Sequence, residues 1–185
     1  MPEYYSHGKL LLTSEYAVLD GAKALAVPTK FGQSLSIKKG LKSQLSWKSF
    51  DVNQEVWFEA SFEVSNSLLE LRDTNETATA NTLAKILEKA ASKSKFGEIF
   101  NGVDVETHLE FNRSWGLGTS STLINNIADW LKIDAYHLLS ETFGGSGYDI
   151  ACAQHHHPII YQIQENKPIV KKAEIKWPFK HHLYL

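Results

Sequence analysis

Two glycines followed by three hydroxyl residues form the segment of this sequence that is best suited to bind an anion. The segment runs from Arg113 to Thr122 as Arg-Ser-Trp-Gly-Leu-Gly-Thr-Ser-Ser-Thr, after a predicted strand and at the start of a predicted helix. Gly116 and Gly118 permit close backbone approach and unusual dihedral angles. The first N–H groups of the helix lack internal partners, and with the helix dipole they favour phosphate.

The hydroxyls of Thr119, Ser120 and Ser121 are suited to phosphate oxygens or to a metal ion. The segment is not a Walker A loop, because no Gly-Lys-Ser/Thr follows, and it is not Gly-x-Gly-x-x-Gly either. On residue types alone, the alternative is a helix capped by hydroxyls after a glycine turn.

A lysine and an aspartate stand in two further segments. Lys9 lies in the segment Ser6–Gly21, and Asp149 follows Gly-Gly-Ser-Gly in the segment Gly144–Ala151. A carboxylate can orient or remove the proton of an acceptor hydroxyl, and a neighbouring lysine favours its charged form. Taken alone, Lys9 is also consistent with a strand lysine that extends to solvent, and Asp149 with a helix cap.

These three segments together, in this order, resemble the N-terminal motifs of the GHMP kinases. That family is named after galactokinase, homoserine kinase, mevalonate kinase and phosphomevalonate kinase. The resemblance extends from about Tyr4 to Gln164. The Gly-Ser-Gly-Tyr-Asp-Ile-Ala segment is most similar to phosphomevalonate kinases and to a bacterial subgroup with Gly-Tyr-Asp-Ile-Ala. The resemblance implies transfer of the γ-phosphoryl group of ATP, with Mg²⁺, to a small metabolite.

The resemblance also implies a role for each matched residue. Ser120 matches the serine that contacts Mg²⁺ and phosphate, Asp149 the aspartate that faces the acceptor, and Lys9 the lysine beside it. Glu141 is matched to a glutamate that ligates Mg²⁺ in some members, although its spacing to Asp149 is shorter than in mevalonate kinase. The residues expected at the nucleotide are Trp115, Gly116, Leu117, Gly118, Thr119, Ser120 and Ser121.

Four features depart from the common family pattern, one of which is the absence of the proline that often opens the second motif. Ser14 stands where glycine usually precedes the glutamate, Tyr16 where histidine is frequent, and Trp115 where a small residue is common. Trp115 is expected either to pack on the adenine or to obstruct it. These departures concern the nucleotide and the acceptor more than the fold.

The length of the chain differs from that of the family. Because family members are longer, the resemblance implies that residues 1–185 are the N-terminal, nucleotide-binding domain and that a C-terminal domain with a third glycine-rich motif is missing. Residues 180–185 are expected to begin a strand. The uncovered domain interface would be apolar, and a homodimer would cover it. The chain alone is therefore expected to lack full kinase activity.

The hydrophobic periodicity predicts an α+β fold, with helices on one face of a mostly antiparallel sheet. Alternation of apolar and polar residues marks the strands, and a 3.6-residue period marks the helices. Strands are predicted at 8–13, 31–38, 41–47, 55–64, 103–111, 158–164 and 169–175, and helices at 77–91, 119–131 and from Asp134 to about 142.

The composition narrows the functional class. Lys and Arg number 19 against 21 Asp and Glu, so no basic excess indicates binding to nucleic acid or to an anionic membrane. The single cysteine, Cys152, excludes a disulfide framework within the chain and is expected to be a buried small residue. No basic and apolar leader opens the sequence, which favours a cytoplasmic setting.

The sequence therefore predicts an ATP- and Mg²⁺-dependent kinase for a mevalonate-like small-molecule acceptor, acting through Asp149 and Lys9. Two alternatives stay open at this level. One is a non-catalytic module that binds a nucleotide or a metabolite, and the other is a GHMP kinase for a sugar or an amino-acid alcohol.

Overall fold

The structure, a computed structural model, describes residues 2–65, 68–94 and 99–175. The predicted strand start at 180–185 lies outside the described residues. The strands are β1 (Glu3–Leu11), β2 (Ala24–Lys39), β3 (Gln44–Phe50), β4 (Val56–Ser65), β5 (Leu68–Thr74), β6 (Val103–Leu109), β7 (Ile159–Gln164) and β8 (Lys167–Lys172). The α-helices are α1 (Thr77–Lys93), α2 (Thr119–Leu131), α3 (Ala135–Thr142) and α4 (Tyr148–Ala153).

All the described strands belong to one sheet, in the order β5-β4-β3-β6-β2-β7-β8, with β1 paired to β2. The β3–β6 pair is parallel, and every other described pair is antiparallel. The 16-residue strand β2 pairs with β7 through residues 24–26 and with β6 through residues 33–39, so it joins the two halves of the sheet, and it pairs with β1 through residues 26–36. The prediction of a mostly antiparallel α+β fold is confirmed.

The helices pack on this sheet through the apolar faces that the periodicity predicts. The buried positions of α1 are Ala80, Leu83, Ile86, Leu87 and Ala90, and they share one core with large side chains of β2, β3 and β4. Burying one large apolar side chain contributes roughly 1.5–3 kcal/mol, so this layer provides much of the force that holds α1 in place. Among the described residues, no helix is both long enough and apolar enough to cross a membrane.

A buried polar network fixes α2 on the sheet. The Ser6 hydroxyl donates to Asn126 Oδ1 at 2.7 Å, and Asn126 Nδ2 donates to the backbone oxygen of Gln33 at 2.9 Å. One turn from the start of α2, the Thr122 hydroxyl lies 2.7 Å from Gln33 Oε1. Buried polar groups that are hydrogen-bonded in this way define one arrangement, because any shift would leave them unpaired. The start of α2 is therefore held against β1 and β2.

Candidate functional site

The glycine segment forms a tight loop that enters α2 without a side-chain cap. Asn112 Oδ1 accepts from the Ser114 N–H at 3.0 Å, which turns the chain into a short 3-10 helix, Arg113–Trp115. Gly116 and Gly118 then adopt φ values of 69° and 91°, a region that favours glycine. No side chain caps the first turn of α2, which leaves its N–H groups suited to an anion.

Lys9 is tied to this loop through its backbone and its side chain. The Lys9 N–H donates to the Leu117 oxygen at 2.9 Å. A Cβ added at Gly118 would lie 3.2 Å from Lys9 Cγ and 2.6 Å from Ser121 Oγ. The lysine side chain therefore runs along the glycine backbone, and the absence of a side chain at Gly118 is what permits this approach.

Asp149, which lies on α4, faces the same part of the glycine loop as Lys9. It stands in the first turn of that helix, after Gly147, whose φ is 83°. Burial raises the pKa of the Asp149 carboxyl, while Lys9 and the Ser121 hydroxyl act in the opposite direction and favour the carboxylate. The structure thus brings together Lys9, Ser121 and Asp149, which lie far apart in the sequence.

The raised pKa of Asp149 predicts a stability effect with a definite sign. An acid whose folded-state pKa is raised contributes stability at low pH, and this contribution is lost as the pH rises through the folded-state pKa. Asp149→Asn removes the ionisation, so we expect a higher free energy of unfolding than the unmodified chain at pH 7. The gain should shrink below pH ~4, where Asp is protonated in both states. Urea unfolding of both chains from pH 3 to pH 8 measures this difference.

A cavity of about 430 Å³ opens on the other side of the loop, between the start of α2 and α1. We call it the α1–α2 cavity. Its apolar lining consists of Trp47, Trp57, Phe58, Ala78, Leu83, Ile86, Leu123 and Phe143. Thr119 and Ser120 border it, and Arg113 is the one charged side chain among the described residues that line it. An apolar slot with a cation and a helix start at one edge suits a flat neutral ring that is joined to an anionic group.

The first turn of α2 therefore separates two environments. Thr119 and Ser120 face the α1–α2 cavity, whereas Ser121 is 2 % exposed and faces Lys9 and Asp149. A group held at the helix start would have an apolar slot on one side and a lysine–carboxylate pair on the other. This arrangement matches a transfer reaction in which the donor and the acceptor meet at the start of the helix.

Glu141 is paired with basic side chains of α1 and α3. Its carboxylate is 3.1 Å from Lys93 Nζ and 3.3 Å from His137 Nε2, and Lys93 lowers its pKa. It lines a second cavity, of about 410 Å³, which Lys85 also lines. The structure does not bring Glu141 together with Ser120 or Asp149, so its role as a Mg²⁺ ligand stays a prediction. Within residues 2–65, 68–94 and 99–175, no group of three or more His, Cys, Asp or Glu side chains could hold a metal ion.

Three other positions named from the sequence have distinctive surroundings. Trp115 is 49 % exposed and is not among the described residues that line the α1–α2 cavity. Leu117 is buried and packs with Leu109 and Phe111, so its side chain anchors the loop while its backbone oxygen accepts from the Lys9 N–H. Ser14 adopts a φ of 65°, the left-handed region for which the usual family glycine is suited, and its hydroxyl donates to the Lys23 oxygen at 2.9 Å.

Sequence reasoning missed two residues of the site, Trp57 and Arg113. The Arg113 guanidinium stacks over the Trp57 ring with its carbon 3.5 Å from the ring centroid, and both side chains line the α1–α2 cavity. Trp57 lies in strand β4, and the alternation of side chains along this strand shows only that Trp57 points to the opposite face from its buried neighbour Phe58. Arg113 stands three residues before Gly116, and this position was the one available signal.

Comparison with solved structures identifies the fold. The D-glycero-D-manno-heptose 1-phosphate kinase of Bacteroides thetaiotaomicron superposes with a TM-score of 0.68 at 18% identity, over 94% of this chain and 60% of that one. The mevalonate kinase of Methanococcus jannaschii gives 0.67 at 13% identity, over 94% and 56%. The chain has the α+β fold of the N-terminal part of GHMP kinases.

A third solved structure includes ligands. The phosphomevalonate kinase of Streptococcus pneumoniae, in complex with phosphomevalonate and AMPPNP, gives a TM-score of 0.57 at 18% identity, over 88% of this chain and 50% of that one. This chain thus spans between half and three-fifths of the length of these three kinases. No protein-family model matches it, and no curated protein sequence matches it.

Proposed function

We propose that this chain is the nucleotide-binding part of an ATP-dependent small-molecule kinase of the GHMP type. The observation that carries the proposal is the convergence of Lys9, Ser121 and Asp149 on one side of the α2 start, with the α1–α2 cavity on the other. The fold supports the same class, since the neighbours named above are kinases for heptose 1-phosphate, mevalonate and phosphomevalonate.

Phosphoryl transfer requires little covalent chemistry from the protein and depends on position and charge. In the proposed complex, the base of Mg·ATP occupies the α1–α2 cavity, and its phosphates lie at the N–H groups of the α2 start. Ser120 is the hydroxyl that is placed to meet the phosphates and Mg²⁺. The magnesium ion neutralises phosphate charge when the nucleotide is bound.

Asp149 and Lys9, which lie on the Ser121 side of the α2 start, act on the acceptor. The Asp149 carboxylate orients the acceptor hydroxyl and takes its proton as the phosphoryl group arrives. Lys9 lies beside it and favours the carboxylate form over the protonated form. If the acceptor is already a phosphate monoester, Asp149 positions it and Lys9 binds its charge.

The motifs favour a mevalonate-like acceptor, while the neighbours include a kinase for a sugar phosphate. An assay with γ-labelled Mg·ATP and a panel of mevalonate, phosphomevalonate, galactose, homoserine and heptose 1-phosphate separates these classes. We expect one acceptor to become labelled, and we expect labelling to be faster in a longer protein that also has a C-terminal domain. If Mg·ATP binds but no acceptor is labelled in either form, the chain is a non-catalytic nucleotide-binding module instead.

A further inference from the structure

Arg113 differs in its surroundings from the other arginine of this chain. Arg72 forms ion pairs with Glu63 and Glu70, whereas no carboxylate within the described residues lies at ion-pair distance from Arg113. The guanidinium of Arg113 instead lies on the face of the Trp57 indole. An arginine that is stacked but not ion-paired keeps its donors and its charge free for a ligand.

The position of the Arg113 charge is defined by four neighbouring residues. Arg113 lines the α1–α2 cavity together with Thr119 and Ser120, the first two residues of α2. The Asn112 side chain fixes the short 3-10 helix that carries Arg113, and the Trp57 ring holds the guanidinium at the cavity edge. The guanidinium is thus placed by contacts on both its backbone and its side chain.

Resting on the proposed function, we propose that Arg113 binds the phosphates of the nucleotide and that Trp57 is the residue that positions it. A guanidinium provides two parallel N–H donors to a phosphate, and such charge-assisted hydrogen bonds are roughly twice as strong as neutral ones. The helix start supplies only partial charge, so a full positive charge on the cavity side complements it. Lys9 supplies the corresponding charge on the acceptor side.

The test compares a charged with an uncharged ligand. The dissociation constants of Mg·ATP and of adenosine are measured calorimetrically for the 185-residue chain and for Arg113→Ala, Arg113→Lys and Trp57→Leu. Arg113→Ala is expected to weaken Mg·ATP binding about tenfold, the loss of one charge-assisted hydrogen-bonded contact, and to leave adenosine unchanged. Arg113→Lys keeps the charge but loses the planar fork, so it should recover only part of the affinity. Arg72→Ala is the matched control and should bind both ligands like the unmodified chain.

The role of Trp57 is tested by the ratio of the Mg·ATP affinity to the adenosine affinity. Trp57 lines the cavity, so Trp57→Leu is expected to weaken both ligands. Trp57→Leu should also lower the preference for Mg·ATP over adenosine by about as much as Arg113→Ala does. The double variant, Trp57→Leu with Arg113→Ala, should show no further drop in this preference, because both substitutions affect the same guanidinium. An unchanged preference in Arg113→Ala, or an equal loss of both ligands, would overturn this inference while leaving the proposed function standing. Failure of the unmodified chain to bind Mg·ATP would overturn both.

Discussion

Asp149→Asn is expected to slow phosphoryl transfer by roughly 10²–10⁴-fold, the range that a positioned general base contributes. The amide keeps the size of the side chain but cannot take a proton from the acceptor. Mg·ATP binding should change by less than about twofold, because Asp149 faces Ser121 and Lys9 rather than the α1–α2 cavity. Initial rates with the acceptor that the labelling panel identifies, together with calorimetric titration of Mg·ATP, measure the two effects separately.

Asp129→Asn is the matched control for this prediction. Asp129 is exposed on α2, where its carboxylate is 2.7 Å from Lys132 Nζ, and the same substitution there should leave the rate unchanged. A transfer rate in Asp149→Asn within about threefold of the unmodified protein would show that Asp149 is not the base. An equal loss of Mg·ATP binding would show that the residue acts on the nucleotide instead.

Gly118→Ala is expected to weaken Mg·ATP binding by roughly 100-fold. Alanine at a φ of 91° is strained by ~1–2 kcal/mol, and its Cβ would lie 2.6 Å from Ser121 Oγ. Either the Ser121 hydroxyl and the Lys9 side chain move away or the loop shifts, and a displacement of about 1 Å at a binding group costs on the order of 10²-fold. Calorimetric titration measures the loss, and circular dichroism checks that the fold is kept.

Gly116→Ala separates the effect of the steric overlap at Gly118 from the backbone strain that alanine has in the left-handed region. Gly116 has a φ of 69°, so the backbone strain is similar, but no atom lies within 4 Å of the added Cβ. We therefore expect a modest loss of stability, on the order of 1 kcal/mol, and nearly normal nucleotide affinity. Equal effects of the two substitutions on affinity would contradict the assignment of Gly118 as the point where the loop, Lys9 and Ser121 meet.

The helices were predicted well from the sequence, because the interactions that define them are between residues close together along the chain. The helix at 119–131 was predicted with the bounds that α2 has, because Gly118 interrupts the chain before it and its apolar residues repeat along one face. Asp134 caps α3 as expected, accepting from the His137 N–H at 3.0 Å. In these places the residues that define the element are close neighbours along the chain.

Strands were predicted less completely, because their limits depend on partners that are distant in sequence. Strand β5 was missed, since its side chains are mostly exposed at the sheet edge and show little apolar alternation. Strand β2 begins at Ala24, seven residues earlier than predicted, where its first residues pair with β7. The parallel pairing of β3 with β6 carries no local signal at all.

The candidate site was also predicted only in part, because some of its residues stand in local motifs and others meet only through tertiary packing. The loop, Lys9 and Asp149 are found through motifs, but their proximity depends on the packing of β1, α2 and α4. The Trp57–Arg113 stack joins residues 56 positions apart through a side-chain contact that no sequence spacing specifies. Ser14, by contrast, stands at a motif position, and the structure shows that serine there accepts the left-handed backbone expected of glycine.

Nucleotide binding at the α2 start is tested by calorimetric titration of Mg·ATP into the 185-residue chain, with Ser120→Ala as the comparison. We expect saturable binding at one site per chain, weakened in Ser120→Ala because this hydroxyl borders the α1–α2 cavity at the helix start, where we propose that the phosphates bind. Binding that is identical in both chains would place the nucleotide away from the α2 start. The absence of binding at millimolar Mg·ATP would contradict a nucleotide site in this chain.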